Sequence, residues 1–316
     1  MADTDDCGVD AVAATSAEWE QAFGNGDETV SYHPLSAVGK GEFADGYVGH
    51  LTAEQDVALA ELKTRILSLK LDLTPHIIPK VETFDMFCLR FLRARKFDVK
   101  KAEDMLLAML VWYESERIFE LGSLRAIDLV GADNMALLKE NLPSYSYGHD
   151  KIGRPVIYKV YGRCDIGKMI DGGISMELLV RHHIWMTETS LRRLRSSSLS
   201  SGHSFEDFVV VVDLDGWSLS RASSRAYAYL KTIAEVDSNN YPERLGQCIV
   251  VNAPFMFSVA WKIVRAWLDP KTRRKVSILR GKSEIMEALR PLIDEEFIPA
   301  DFGGKGPLLS SLEDEN

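Results

Sequence analysis

At 316 residues, with 46% hydrophobic and 27% charged side chains, the chain can hold one large domain or two modest ones around a sizeable core. No apolar run reaches the roughly eighteen residues of a membrane span, and the acidic start, Met1 to Asp6, lacks the apolar core of a signal peptide, so membrane contact is expected to be peripheral. Residues 1–50 hold ten acidic side chains and one basic, leaving 37 against 36 in the rest of a chain whose net charge is −10. A near-neutral body excludes a general nucleic-acid binder, which needs clustered positive charge. Cys7, Cys88, Cys164 and Cys248 are widely separated, with no CxxC pair and no histidine at zinc spacing. That pattern reads as reduced thiols in a cytosolic protein and offers no metal site.

Residues 1–48 are acidic and glycine-rich without a sustained period, which predicts a leader lacking regular structure, though Trp19, Phe23, Tyr32 and Phe43 are available to dock. Order begins at Thr52, which opens a capping-box pattern with Gln55; Val57, Leu59, Leu62, Ile66 and Leu69 then recur at helical spacing. A second helix is predicted from about Asp85 through Leu92 into Arg93-Ala94-Arg95-Lys96. Asp98 caps a third, which carries Ala102, Met105, Met109 and Trp112 on one stripe. From about residue 140 strands and helices alternate. Val156–Tyr161, Phe208–Leu214, Gln247–Asn252 and Val276–Leu279 read as strands. Helices are expected near Met176–Arg195, Ser218–Val236, Phe257–Leu268 and Glu284–Ile293. Val209 to Val212 is apolar throughout, the mark of a central strand buried on both faces. The class is therefore α/β with a mainly parallel, mixed sheet behind a helical N-terminal unit. Ser196 to His203 reads as a loop, and residues 307–316 as a frayed polar tail.

Catalytic signatures are missing: no G-x-S-x-G, P-loop or G-x-G-x-x-G occurs. His182 and His183 are adjacent in a helical pattern and face different ways. Asp213 and Asp215 fit turn formation and capping of the helix after Trp217 better than a metal pair. The informative segment is Leu268-Asp269-Pro270-Lys271-Thr272-Arg273-Arg274-Lys275. Asp269 suits an N-cap and Pro270 the first helical position, and Thr272 and Lys275 share a face. A hydroxyl, a lysine and free amides at a helix start would cradle a phosphate, beside the apolar stretch Phe255 to Leu268. Taken alone, the octet also fits an ordinary capped surface helix.

Four further segments accompany it: Phe91-Leu92-Arg93-Ala94-Arg95-Lys96-Phe97-Asp98, Asp150-Lys151-Ile152-Gly153-Arg154-Pro155-Val156, Tyr241-Pro242-Glu243-Arg244-Leu245-Gly246 leading to Asn252-Ala253-Pro254-Phe255, and Phe302-Gly303-Gly304-Lys305. In this order they closely resemble the CRAL-TRIO lipid-binding family, in particular its yeast-type phosphatidylinositol transfer proteins, over residues 49–306. The resemblance implies an N-terminal helical unit at 49–120 and a lipid-binding lobe at 136–306, with a five-stranded sheet, one lipid-sized cavity and a mobile gate helix at its mouth. It implies phosphatidylinositol head-group contacts from Arg95, Lys96, Asp150, Glu243, Thr272 and Lys275, with Glu243 able to pair with Lys275. Arg93, Arg154 and Arg244 are read as structural.

The family's choline site departs here. Ile157, Met186, Phe208 and Val210 stand where its hydroxyls and tyrosines would be, with Ser146 near another, and Met256 replaces a glycine in the gate. Apolar groups cannot surround a choline cation. A more hydrophobic second ligand, a sterol, isoprenoid or fatty molecule, is expected in place of phosphatidylcholine. Phe257, Trp261, Val264 and Trp267, with Val259 and Ile263, are expected to enter a membrane surface, Lys262 and Arg265 meeting anionic heads. The resulting expectation is a monomeric, non-enzymatic, cytoplasmic carrier peripheral to endomembranes, needing no cofactor or metal, that moves phosphatidylinositol or presents it to a lipid kinase. A sterol-type carrier and a signalling adaptor on the same fold are the alternatives.

Overall fold

The computed structural model describes residues 31–32 and 46–315. In chain order its elements are β1 (Ser31–Tyr32), α1 (Ala53–Ser68), α2 (Phe84–Ala94), α3 (Val99–Ser115), α4 (Ile118–Ser123), α5 (Ala126–Val130), α6 (Ala132–Asn141), β2 (Ser144–His149) and β3 (Pro155–Val160). Then follow α7 (Ile166–Asp171), α8 (Met176–Ser201), β4 (His203–Ser204), β5 (Phe208–Asp213), α9 (Ser224–Asn240), β6 (Leu245–Val251), α10 (Phe257–Val264), α11 (Pro270–Arg274), β7 (Val276–Ile278) and α12 (Lys282–Leu289). Local chemistry starts the helices as expected. Thr52 and Gln55 close a reciprocal capping box, and Asp98 accepts the Lys101 amide at 3.1 Å. Cys7 and the leader aromatics lie outside the described residues, apart from the backbone of Tyr32; Cys88, Cys164 and Cys248 are free thiols.

Five strands form one sheet in the order β2-β3-β5-β6-β7, parallel except for β2 against β3. The valine run makes β5 the central strand, as an apolar stretch buried on both faces should. One sheet face carries Val156, Tyr158, Val209, Val211, Ile249 and Val251 against Ile285 and Leu289 of α12. On the other, Ile157, Phe208 and Val210 cluster with Leu191 of α8. The N-terminal helices do not form a separate core. Leu62, Ile66, Phe87, Phe91 and Leu106 pack with Ile184 and Trp185 of α8 and with Tyr241.

Four expectations need correction. β2 was not foreseen: Ser-Tyr-Ser-Tyr looks like turn chemistry, but the tyrosines alternate onto the apolar face, where Tyr147 also donates to the Glu296 carbonyl at 2.9 Å. Ser196 to Ser201 is helix, not loop. Ser198 is fully buried, and Ser200 donates back to the Ser196 carbonyl at 2.8 Å, so packing and hydroxyl back-bonding outweigh serine's weak propensity. Gly202, at φ +70, ends it. The helix after Trp217 starts only at Ser224, with Ser223 as its cap, while Asp213 binds the Asp215 amide and Asn252. The tail is docked: Glu315 donates its amide to the Ser144 carbonyl at 2.8 Å and pairs with Arg193 at 3.2 Å.

A buried ionic seam joins the two parts. Glu82, ahead of α2, lies 2.6 Å from Arg90 and 3.0 Å from Arg244. Burial favours its neutral form, but Arg244 and Arg90 outweigh that and hold its pKa below the usual carboxylate value. Arg93 pairs with Glu206 and stacks on Tyr47 at 4.0 Å. Removing one member strands buried charges, so Glu82→Ala should cost about 3–5 kcal/mol of unfolding free energy, read in urea titrations. A cost below about 1 kcal/mol, the range of surface pairs, would show that the seam is solvated.

Candidate functional site

The chain turns sharply between α9 and β6, and Glu243 sits there in the left-handed region at φ +62. A non-glycine residue there is strained, and such strain persists only where surrounding contacts enforce it. Its carboxylate accepts from Lys271 Nζ at 2.7 Å and lies 3.6 Å from Lys275 Nζ and 3.9 Å from Arg93 Nε. Only 7% of the Glu243 side chain is exposed. Burial raises its pKa, yet Lys275, Lys271 and Arg93 together bring it down to about 2. Burial, partly offset by Glu243, holds the Lys271 pKa below its ordinary value. Arg93 is paired with Glu206 as well, so the positive charge available to an anion is that of Lys271 and Lys275, which share the single carboxylate of Glu243.

The octet folds as a single capped turn, but its chemistry differs from the expected cradle. Asp269 accepts the amides of Lys271 at 2.8 Å and Thr272 at 3.0 Å, and the Thr272 hydroxyl as well. The capping carboxylate therefore occupies the amides that a phosphate would use. Attraction for an anion rests instead on the ammonium groups of Lys271 and Lys275.

Glu243, Thr272 and Lys275 are gathered by the short α11 turn. Arg95 and Lys96 lie on the turn after α2, where Lys96 and Phe97 both have positive φ, at +53 and +61. Among the described residues neither Arg95 nor Lys96 has a carboxylate at ion-pair distance. Two residues before Arg95, Arg93 ties that turn to Glu243. Asp150 lies in another buried cluster: its oxygens take the amides of Ile152 and Arg154 and the Arg154 guanidinium, which also reaches Asp207 at 2.8 Å. Lys271 and Arg93 were not singled out as site residues. The signal for Lys271 was its i,i+4 spacing to Lys275; nothing in sequence pointed Arg93 at Glu243.

Next to this cluster runs α10, which stops at Val264, four residues short of the expected Leu268. Its exposed apolar residues are Phe255, Met256, Val259 and Ile263, while the four residues expected to lead it are partly covered. Phe257 packs edge-on against Trp217 at 5.3 Å, and Trp267 against Tyr227 at 6.1 Å. Phe255 is 76% exposed, beside Arg280 at 5.5 Å.

The sheet face that meets α8 carries three polar or polarisable side chains beside its apolar ones. Burial shifts the pKa values of Lys159, Tyr161 and Cys248, and each keeps some accessible surface. Ile157, Phe208 and Val210 pack together on this face. Met186 belongs to the N-terminal core, although its sulfur is 4.0 Å from the Tyr161 hydroxyl. A separate cavity of about 160 Å³, lined by His76, Tyr113, Glu188 and Tyr241, falls below the roughly 300 Å³ of even a small ligand pocket.

The depressed pKa of Glu243 has a definite sign in stability. Its contribution is complete above the unfolded carboxylate value near 4.5 and is lost as pH falls toward the folded value of about 2. Glu243→Gln should therefore cost on the order of 3 kcal/mol near neutral pH, with the difference from wild type shrinking between about pH 4.5 and 2 in urea titrations. A difference independent of pH would remove the charge from the argument.

The CRAL/TRIO domain matches residues 139–304 and the CRAL/TRIO N-terminal domain residues 58–108. The SEC14 cytosolic factor of Candida glabrata is 32% identical over 82% of this chain and 81% of its own length. The SEC14 cytosolic factor of Yarrowia lipolytica is 34% identical over 82% of this chain, and the CRAL-TRIO domain-containing protein T23G5.2 of Caenorhabditis elegans 30% identical over 87%. Of those two longer relatives the chain spans only 50% and 36%. The crystal structure of Sfh5 shares the fold, with a TM-score of 0.54 at 20% identity over 72% of this chain and 75% of that one. Two adjoining domain matches, a mixed five-stranded sheet behind N-terminal helices, and a relative 32% identical and matched over 81% of its own length place this chain in the CRAL/TRIO family.

Proposed function

We propose that the protein is a phosphatidylinositol carrier that exchanges its lipid at membrane surfaces, without catalysing a reaction. The observation that supports this most is the meeting of Lys271, Lys275 and Arg93 on Glu243 beside an exposed apolar helix. A phosphodiester is a permanent anion that ammonium groups hold well, and inositol hydroxyls can donate to a carboxylate. Thr272, Arg95 and Lys96 supply further polar contacts, whereas Asp150, saturated by Arg154, serves by shaping the start of β3. Acyl chains would lie along the sheet face that meets α8. Presentation of the lipid to a kinase is a use the same site would permit.

The decisive experiment is phosphatidylinositol transfer between vesicles by the Thr272→Ala/Lys275→Ala variant. Transfer should fall at least about tenfold, the equivalent of one charge-assisted contact. Far-UV circular dichroism should show the variant folded, although loss of the Lys275 contact to Glu243 lowers its melting temperature. Full transfer would refute the head-group assignment. The exposed stripe of α10 generates a second expectation. Val259→Asp/Ile263→Asp should reduce co-sedimentation with anionic vesicles while leaving far-UV circular dichroism unchanged, because both side chains already face water. Undiminished sedimentation would locate membrane contact elsewhere.

A further inference from the structure

The sheet face that meets α8 carries a cation in apolar surroundings. Strand alternation puts Lys159 on the same face as Ile157, and the parallel register sets it level with Val212 and Val250. Leu245, at the start of β6, is five residues before Val250, so Lys159 stands roughly 16 Å along the strands from the Glu243 end. Among the described residues no carboxylate forms an ion pair with its ammonium, which lies 5.8 Å from the centroid of the Tyr161 ring. Burial lowers its pKa, with Asp237, Cys248 and Glu315 acting on it from further away.

Directly across from Lys159 on β2 is Ser144, and opposed residues of an antiparallel pair point to the same face. Ser144 is fully buried, and its hydroxyl has no hydrogen-bond partner. An unmatched cation and an unmatched hydroxyl thus share one sheet face whose other members include the buried Ile157 and Val210. Buried polar groups are normally satisfied, and leaving both empty is unfavourable.

We propose that Lys159 and Ser144 bind the anionic head of a second lipid, a carboxylate or a phosphate monoester, whose hydrocarbon lies along Ile157, Phe208 and Val210. This rests on the lipid-carrier reading and replaces its wholly apolar second ligand with an acid. The choice of an anion follows from the groups. Both can donate to an acidic oxygen, whereas a choline head would bring a second cation to Lys159.

The test incubates the full chain with vesicles containing oleic acid, phosphatidic acid, phosphatidylcholine or phosphatidylinositol, in separate arms. The protein is then re-isolated and its bound lipid quantified by mass spectrometry. At least one acid should be retained about tenfold better than phosphatidylcholine, and Lys159→Met should lose that margin while Lys159→Arg keeps it. Retention of oleic acid identifies a carboxylate; retention of phosphatidic acid identifies the phosphate monoester. Phosphatidylcholine held as well as both acids, or Lys159→Met loading like wild type, overturns the proposal. Should Lys159→Met fail to fold, the wild-type ratio of acid to choline lipid decides. Phosphatidylinositol retained without either acid would sink this inference and leave the carrier reading standing; failure to retain any of the four would sink the carrier reading itself.

Discussion

A buried charge must be matched, and that requirement governs how this chain is assembled. Arg90, Arg93, Arg244, Glu82 and Glu206 are all nearly inaccessible, so each needs a partner of opposite sign within a few ångströms. The partners come from different parts of the chain: Glu82, Arg90 and Arg93 from the N-terminal helical unit, Glu206 and Arg244 from the lobe. Apolar packing alone would allow α2 to slide or rotate against α8. A guanidinium held at fixed distances by carboxylates on another element does not tolerate that. Arg244 also donates to the Glu206 carbonyl at 3.1 Å, so the segment entering β5 and the one entering β6 are locked to each other as well.

The candidate site inherits its geometry from this seam. Arg93 pairs with Glu206 and also lies within 3.9 Å of Glu243. One guanidinium therefore connects the inter-unit lock to the carboxylate around which Lys271 and Lys275 gather. The positive φ values of Lys96, Phe97 and Glu243 fall on the two turns that Arg93 bridges. At Glu243 the strain is held by the charge contacts to Lys271, Lys275 and Arg93, whereas the turn after α2 is closed by backbone bonds, the Phe97 amide donating to the Leu92 carbonyl at 2.7 Å.

Much of the fold was legible because its signals are local. A threonine three residues before a glutamine, an aspartate before a helical stripe and four consecutive valines each specify their own conformation. The failures arose where tertiary contacts decide. Ser196 to Ser201 is helical because Ser198 is enclosed, and the Ser-Tyr alternation of β2 becomes a strand because one face finds a core. The site was legible as a set of charged residues but not as an arrangement. Sequence paired Glu243 with Lys275, whereas the shorter contact is to Lys271. It left amides free that Asp269 occupies, and it gave Asp150 an open role although Arg154 takes up its oxygens. It assigned the gate's outward face to Phe257, Trp261, Val264 and Trp267 together with Val259 and Ile263, of which only Val259 and Ile263 are exposed. Phe257 and Trp267 pack on Trp217 and Tyr227, which leaves Phe255, Val259 and Ile263 facing water.

For a carrier, the place of Glu243 has a thermodynamic consequence. Three cations clustered without an anion would repel one another and make the empty site unfavourable; a permanent internal carboxylate removes most of that penalty. An arriving phosphodiester then gains less than it would from bare cations, because Glu243 already supplies much of the attraction. On the proposed reading, inositol hydroxyls would complete the balance by donating to Glu243, which a lipid without suitably placed donors could not do. The same carboxylate thus lowers affinity and sharpens selection. A protein that must release what it binds needs a low cost of emptying more than it needs tight retention, since tight binding appears mainly as slow dissociation.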